Sequence, residues 1–182
     1  MALKYRHAGQ ACITANRVYV QKGVYDKFAK ILAEKAGALK VGHGATEGVT
    51  MGPVTTPRSL DKAEAHIADA KKLGGQIVLG GNKLHGTKGY DGYFFEPTLI
   101  TGAKKEMMVA SEEQFSPILA LFEFDTEDEA VQRANDTSMG LASCELTSSQ
   151  TYRSVSDVVI LQTSSPRTLT EPGDCSRTLR PV

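Results

Sequence analysis

The chain has 182 residues, of which 41% are hydrophobic and 23% charged, the profile of a globular protein with room for one core. Lys plus Arg and Asp plus Glu balance at 21 each, and no basic cluster breaks that balance, which argues against a nucleic-acid surface. No apolar run reaches the roughly 20 residues of a membrane span, and the start lacks the basic and apolar regions of a signal peptide. Cys12, Cys144 and Cys175 are odd in number and far apart, which suggests a reducing compartment without a disulfide framework. There is no Cys-x-x-Cys spacing and the four histidines stand alone, so no metal site is expected.

Residues 1–8 are good helix formers, and Gly9 is a plausible stop. Residues 17–21 alternate, with Val18 and Val20 on one face of a predicted strand. Val24, Phe28, Ile31 and Leu32 then recur at helical spacing as an apolar stripe, in a helix that ends near Gly37. Residues 40–57 read as a long loop, and 59–73 as a second amphipathic helix closed by Gly74 and Gly75. Residues 76–79 form a short strand. A polar, glycine-rich excursion covers 82–92. Residues 93–100, with Pro97 inside, read as an edge or interrupted strand. The apolar run 118–124 is a buried strand. Asp125 or Thr126 caps the next helix, with Glu129 placed for a capping box, and that helix runs to about Asn135. Residues 139–143 open another strand. Strands alternating with helices predict an α/β protein with a mostly parallel sheet.

Cys12 stands out for chemistry. A thiol attacks as its thiolate and needs access, donors and little steric cover. Gly9 and Ala11 keep the backbone beside it bare, Gln10 offers hydrogen bonds, and the amides of such a turn could hold an oxyanion. On the residues alone this is suggestive. An inert buried thiol is the commoner case for a lone cysteine beside a glycine.

Gly9-Gln10-Ala11-Cys12, followed by Asn16-Arg17 and Val18-Tyr19-Val20, resembles the nucleophile segment of the NAD(P)-dependent aldehyde dehydrogenases. The opening Met1 to Arg6 resembles their succinate-semialdehyde branch. A second family element, Glu112-Glu113-Gln114-Phe115-Ser116-Pro117, lies at the family's usual interval of about a hundred residues. The resemblance runs from Met1 to about Ser143. It implies a Rossmann-like catalytic domain, truncated, with a mostly parallel sheet and flanking helices over 1–143. It also implies an aldehyde substrate, NAD or NADP as cofactor, and homo-oligomers in the family.

By the same resemblance, Cys12 is the nucleophile that forms a thiohemiacetal and then a thioester. Glu113 accepts hydrogen bonds from the nicotinamide ribose, Phe115 packs near the nicotinamide, and Arg6 grips the far carboxylate of the substrate. A forked guanidinium suits a carboxylate, and a carboxylate suits a vicinal diol. Several departures and neighbours complete the reading. Ser116 replaces the usual glycine, which puts the cofactor geometry in question. Thr14 stands where many members of the branch carry a second cysteine, so no disulfide switch at Cys12 is expected. His7 reads as structural, and Cys144 and Cys175 as incidental.

The resemblance places the family's general base, one oxyanion asparagine and most of the dinucleotide domain upstream of residue 1. The expectation is a catalytic half without its cofactor half, with little aldehyde oxidation by this chain alone. Two alternatives stand beside it: a thiol-dependent esterase, and an inactive fragment. Residues 144–182, rich in Ser, Thr, Pro and Arg, read as a divergent and poorly ordered tail. An altered gene end and a lineage-specific disordered segment both fit that composition.

Overall fold

Strand β1 (Ala15–Gln21) is buried along almost its whole length because it lies inside a sheet that has six strands among the described residues. The other strands are β2 (Gln76–Leu79), β3 (Thr98–Thr101), β4 (Ile118–Phe124), β5 (Ser143–Leu146) and β6 (Val159–Thr163). Their spatial order is β2-β3-β4-β1-β6-β5. The computed structural model describes residues 2–85, 89–137, 143–146 and 159–163. β4 pairs in parallel with β1 and with β3. β2 runs antiparallel to β3, and β6 antiparallel to both β1 and β5. So β1, β3, β4 and β5 share one direction, as a mostly parallel sheet requires. β4 reads as an unbroken apolar run with Glu123 alone exposed, the signature of a strand covered on both faces.

Among the described residues five helices accompany the sheet: α1 (Ala2–Tyr5), α2 (Lys22–Gly37), α3 (Pro57–Lys72), α4 (Met108–Ser111) and α5 (Glu127–Asn135). α2 lies across β1, β2, β3 and β4, and α3 packs on β2 and α4. Tyr25 of α2 locks the layers together: its hydroxyl donates to the Leu121 carbonyl at 3.0 Å and accepts from the Gly102 amide at 2.8 Å. α3 starts where its sequence says it should, with Pro57 in the first turn and the Thr56 hydroxyl accepting from the Ser59 amide. At α5 the Thr126 hydroxyl accepts from the Glu129 amide, while the Glu129 carboxylate reaches back to the Asp125 amide. The far end of α5 is satisfied by β1. Arg17, buried, donates to the Ala134 carbonyl at 3.1 Å and to the Tyr19 hydroxyl at 3.1 Å. Its burial pulls the guanidinium pKa down.

Several sequence expectations change. The first helix stops at Tyr5, and residues Arg6–Gly9 form a tight turn with His7 and Ala8 in the left-handed region. Ile31 is 43% exposed, and the buried stripe of α2 runs through Tyr25, Leu32 and Ala36 instead. β3 covers only the end of the predicted 93–100 strand. It lies between β2 and β4 and is no edge. α4 has a single turn and leaves no periodic trace in the sequence. β5 crosses the expected boundary at residue 143, and β6 lies within the segment read as a tail. The rest of that segment, Cys175 included, lies outside the described residues, as does the side chain of Cys144.

Candidate active site

The turn that carries Cys12 is built from an unusual backbone. His7, Ala8 and Gly9 have φ of 51°, 53° and 79°, three left-handed residues in a row. Only glycine takes this region without cost; each of the others stores roughly 1–2 kcal/mol. The chain then turns again, with the Thr14 amide donating to the Ala11 carbonyl at 2.9 Å around Cys12 and Ile13. Cys12 is a free, exposed thiol. The amides of Gln10 and Thr14 are taken up inside this segment, whereas those of Cys12 and Ile13 make no hydrogen bond among the described residues.

Gln10 fixes the turn in place. Its amide nitrogen donates to the His7 carbonyl at 2.8 Å and the Pro53 carbonyl at 3.3 Å. Its amide oxygen accepts from the Thr55 amide at 2.8 Å and the Thr55 hydroxyl at 3.0 Å. Three of these four bonds tie the cysteine turn to the loop entering α3. Beneath it, the buried Lys4 ammonium donates to Asn16 Oδ1 at 3.4 Å, and the Asn16 amide donates to the Thr14 carbonyl at 3.4 Å.

The second sequence element meets this turn through the sheet. Cys12 lies three residues before β1 and Phe115 three residues before β4, and these strands are adjacent, parallel and in register. Gly9 touches the turn directly. A Cβ added there would sit 2.1 Å from the Ser116 carbonyl oxygen, so only a glycine allows this approach. Glu113 is half-buried, and its carbonyl accepts from Lys62 Nζ at 2.8 Å. Phe115 is 39% exposed, and Ser116, where a glycine was expected, is buried. Arg6 and His7 are exposed. Thr14 is buried two residues beyond the thiol.

Lys62, His66 and Thr55 bracket both turns from α3 and its entrance, and no motif in the sequence marks them. The helical spacing of Lys62 and His66 was visible, but nothing local says what that face meets. A cavity of about 460 Å³ opens elsewhere, between β1, α5 and the 103–111 segment, and none of Arg6, Cys12, Glu113 or Phe115 lines it. Among the described residues there is no group of three His, Cys, Asp or Glu able to hold a metal, and no helix is long and apolar enough to cross a membrane.

The sheet with its covering helices defines a domain of the α/β, Rossmann-like class. The family model described as "Aldehyde dehydrogenase family" matches residues 1–159, and the chain belongs to that family. The match extends past residue 143, where the resemblance read from the sequence ended. A 3-sulfolactaldehyde dehydrogenase of Pseudomonas putida is 46% identical over 143 residues, 79% of this chain and 29% of the relative. An NADP-dependent succinate-semialdehyde dehydrogenase of Schizosaccharomyces pombe is 45% identical over 142 residues, 78% of this chain and 28% of the relative. The crystal structure of an aldehyde dehydrogenase from Brucella melitensis biovar abortus superposes with a TM-score of 0.77 at 48% identity, covering 82% of this chain and 30% of that one. The chain thus spans less than a third of the length of these relatives.

Proposed function

We propose that this chain is the nucleophile-bearing part of an enzyme that oxidises an aldehyde to the acid, with NAD or NADP as acceptor. The observation that carries this reading is the exposed Cys12 thiol on a turn with two unengaged amides, set beside the Glu113 turn at the same end of two adjacent strands. The Cys12 thiolate adds to the aldehyde carbon, and the amides of Cys12 and Ile13 suit the oxygen that becomes negative. A nicotinamide bound beside it supplies the hydride acceptor. Water then releases the acid from the thioester and returns the thiol.

The residues present suit that cofactor. A half-buried carboxylate at Glu113 can accept from both hydroxyls of a ribose, and the partly exposed ring of Phe115 offers a face to a planar group. Arg6 is exposed and can meet an anion. Succinate semialdehyde and 3-sulfolactaldehyde, named in the relatives, each pair an aldehyde with an anionic group, which fits such an arginine. We extend that class to this chain: a short aldehyde with an anion at its far end.

The test is a chimera in which residues 1–143 replace the matching stretch of a succinate-semialdehyde dehydrogenase. It should reduce NADP with succinate semialdehyde, and Cys12→Ser should cost about a thousandfold or more. A folded chimera that is inactive, or equally active without the thiol, sinks the reading. A second reading comes from the exposure of Cys12 itself: acyl transfer from an activated ester needs no dinucleotide. The isolated chain should then release nitrophenolate from 4-nitrophenyl acetate, and Cys12→Ser should abolish the release.

A further inference from the structure

Lys62, His66 and Asp69 stand at i, i+4 and i+7, so they line one face of α3. That face meets the one-turn helix α4 at both of its ends. At the start, Asp69 Oδ2 accepts from the Met108 amide at 2.7 Å. At the finish, Glu112 Oε2 lies 3.5 Å from Lys62 Nζ and 3.5 Å from His66 Nε2. One residue further on, the same Lys62 ammonium donates to the Glu113 carbonyl.

His66 is the unusual member. Its ring is 1% exposed, and neither nitrogen makes a hydrogen bond among the described residues. A buried imidazole that makes no hydrogen bond is costly, so a carboxylate facing it matters. The nearest acid is Glu112, at ion-pair distance. Burial and then Lys62 push the imidazole pKa down, while Glu112 and Asp69 oppose that. A one-turn helix has too few bonds of its own to fix the path of the chain beyond it. Its exit direction depends on outside contacts; α4 packs on β1 as well as α3, and the polar contacts at its two ends come from α3.

We propose that Glu112 is a positioning residue: held by His66 and Lys62, its carboxylate sets the direction in which the chain leaves α4 and so aims Glu113 and Phe115. This rests on the reading of Glu113 as acceptor for a ribose diol. The same α3 segment, through Thr55 at its entrance, also holds the cysteine turn by Gln10. One rigid helix thus references both halves of the site.

The test uses the full 182-residue chain and two readouts. The first is amide hydrogen exchange at residues 113–116. The second is the NMR shift of those amides on adding β-nicotinamide mononucleotide, which carries the ribose diol without the adenylate. Glu112→Gln keeps the shape and removes the charge. It should speed exchange at 113–116 by at least about tenfold while β4 amides stay unchanged. It should also weaken nucleotide binding by about tenfold or more. His66→Leu should do the same, and His66→Gln, which keeps a donor near Nε2, should restore both readouts. Glu113→Gln should abolish the nucleotide shift and leave exchange alone. Unchanged exchange in both Glu112→Gln and His66→Leu overturns the positioning role, whatever the nucleotide does. Faster exchange in these variants, with a native chain blind to the nucleotide, keeps Glu112 as the residue that sets the turn and overturns the diol reading of Glu113.

Discussion

Lys4 places an ammonium in the core, 2% exposed, with the side-chain carbonyl oxygen of Asn16 3.4 Å away. Burial lowers its pKa from 10.5 to about 7. Between those values the unfolded chain holds a proton that the folded chain has released, so folding grows less favourable as pH falls from 10.5 toward about 7 and more favourable as pH rises from about 7 toward 10.5. The sign is fixed by proton count: where the unfolded state binds more protons, stability rises with pH. Below about 7 both states are protonated, and the full cost of burying the charge is present. His66, also depressed, acts below its ordinary 6.5, and the raised Tyr5 acts above 10, so neither confuses the middle of the range. Lys4→Met should therefore stabilise the protein at pH 6 to 7 by a few kcal/mol, an advantage that shrinks steadily toward about pH 10. Urea melts of both proteins across the range from neutral to mildly alkaline pH measure the gap. A gap that does not change with pH means Lys4 keeps its proton in the folded state.

At the scale of the element, the site depends on two turns that touch where a side chain would not fit. Gly9→Ala meets the Ser116 carbonyl oxygen at 2.1 Å and its carbon at 2.7 Å, in a left-handed backbone that alanine resists. Clash and strain together should cost about 2–4 kcal/mol. Gly23→Ala is the control: it lies in α2, meets nothing within 4 Å, and should stabilise by up to about 1 kcal/mol. Denaturant midpoints separate the two, and a harmless Gly9→Ala would mean that the cysteine turn does not rest on Ser116.

The sequence signals behind these elements were uneven. The alternation in β1, the helical spacing in α2 and α3, the apolar run of β4 and the Thr126 cap are short-range patterns, so they could be read without coordinates. The left-handed His7 and Ala8 could not. Nothing in their residue types asks for positive φ, and the conformation is imposed by the contact Gly9 makes a hundred residues away. The bracket from α3 escaped for the same reason. Lys62 and His66 read as an ordinary helix face until α4, too short for any period, is seen to end against them.

For the molecule as a whole, the sheet order decides which parts open first. Composition and pattern gave strands alternating with helices, but not that β1, the first strand, would lie between β4 and β6. A parallel neighbour to β1 comes only after two long helices and two further strands, a long-range pairing that no local motif announces. The consequence is a gradient of protection. β1 and β4 are paired on both sides and buried on both faces, so their amides should open only with global unfolding. β2 closes the described sheet at the other extreme. It pairs with β3 alone, its register shifts between Ile77 and Leu79, and Val78 is exposed. A strand so placed frays, and its outer amides face water rather than a neighbour. Native-state hydrogen exchange should therefore show β4 and β1 amides slowest, β3 intermediate and β2 faster than β4 by roughly a hundredfold or more, about 3 kcal/mol in opening free energy. Equal protection of β2 and β4 would require a partner on the β2 edge, and a concentration dependence of the β2 rates would identify that partner as a second copy of the chain.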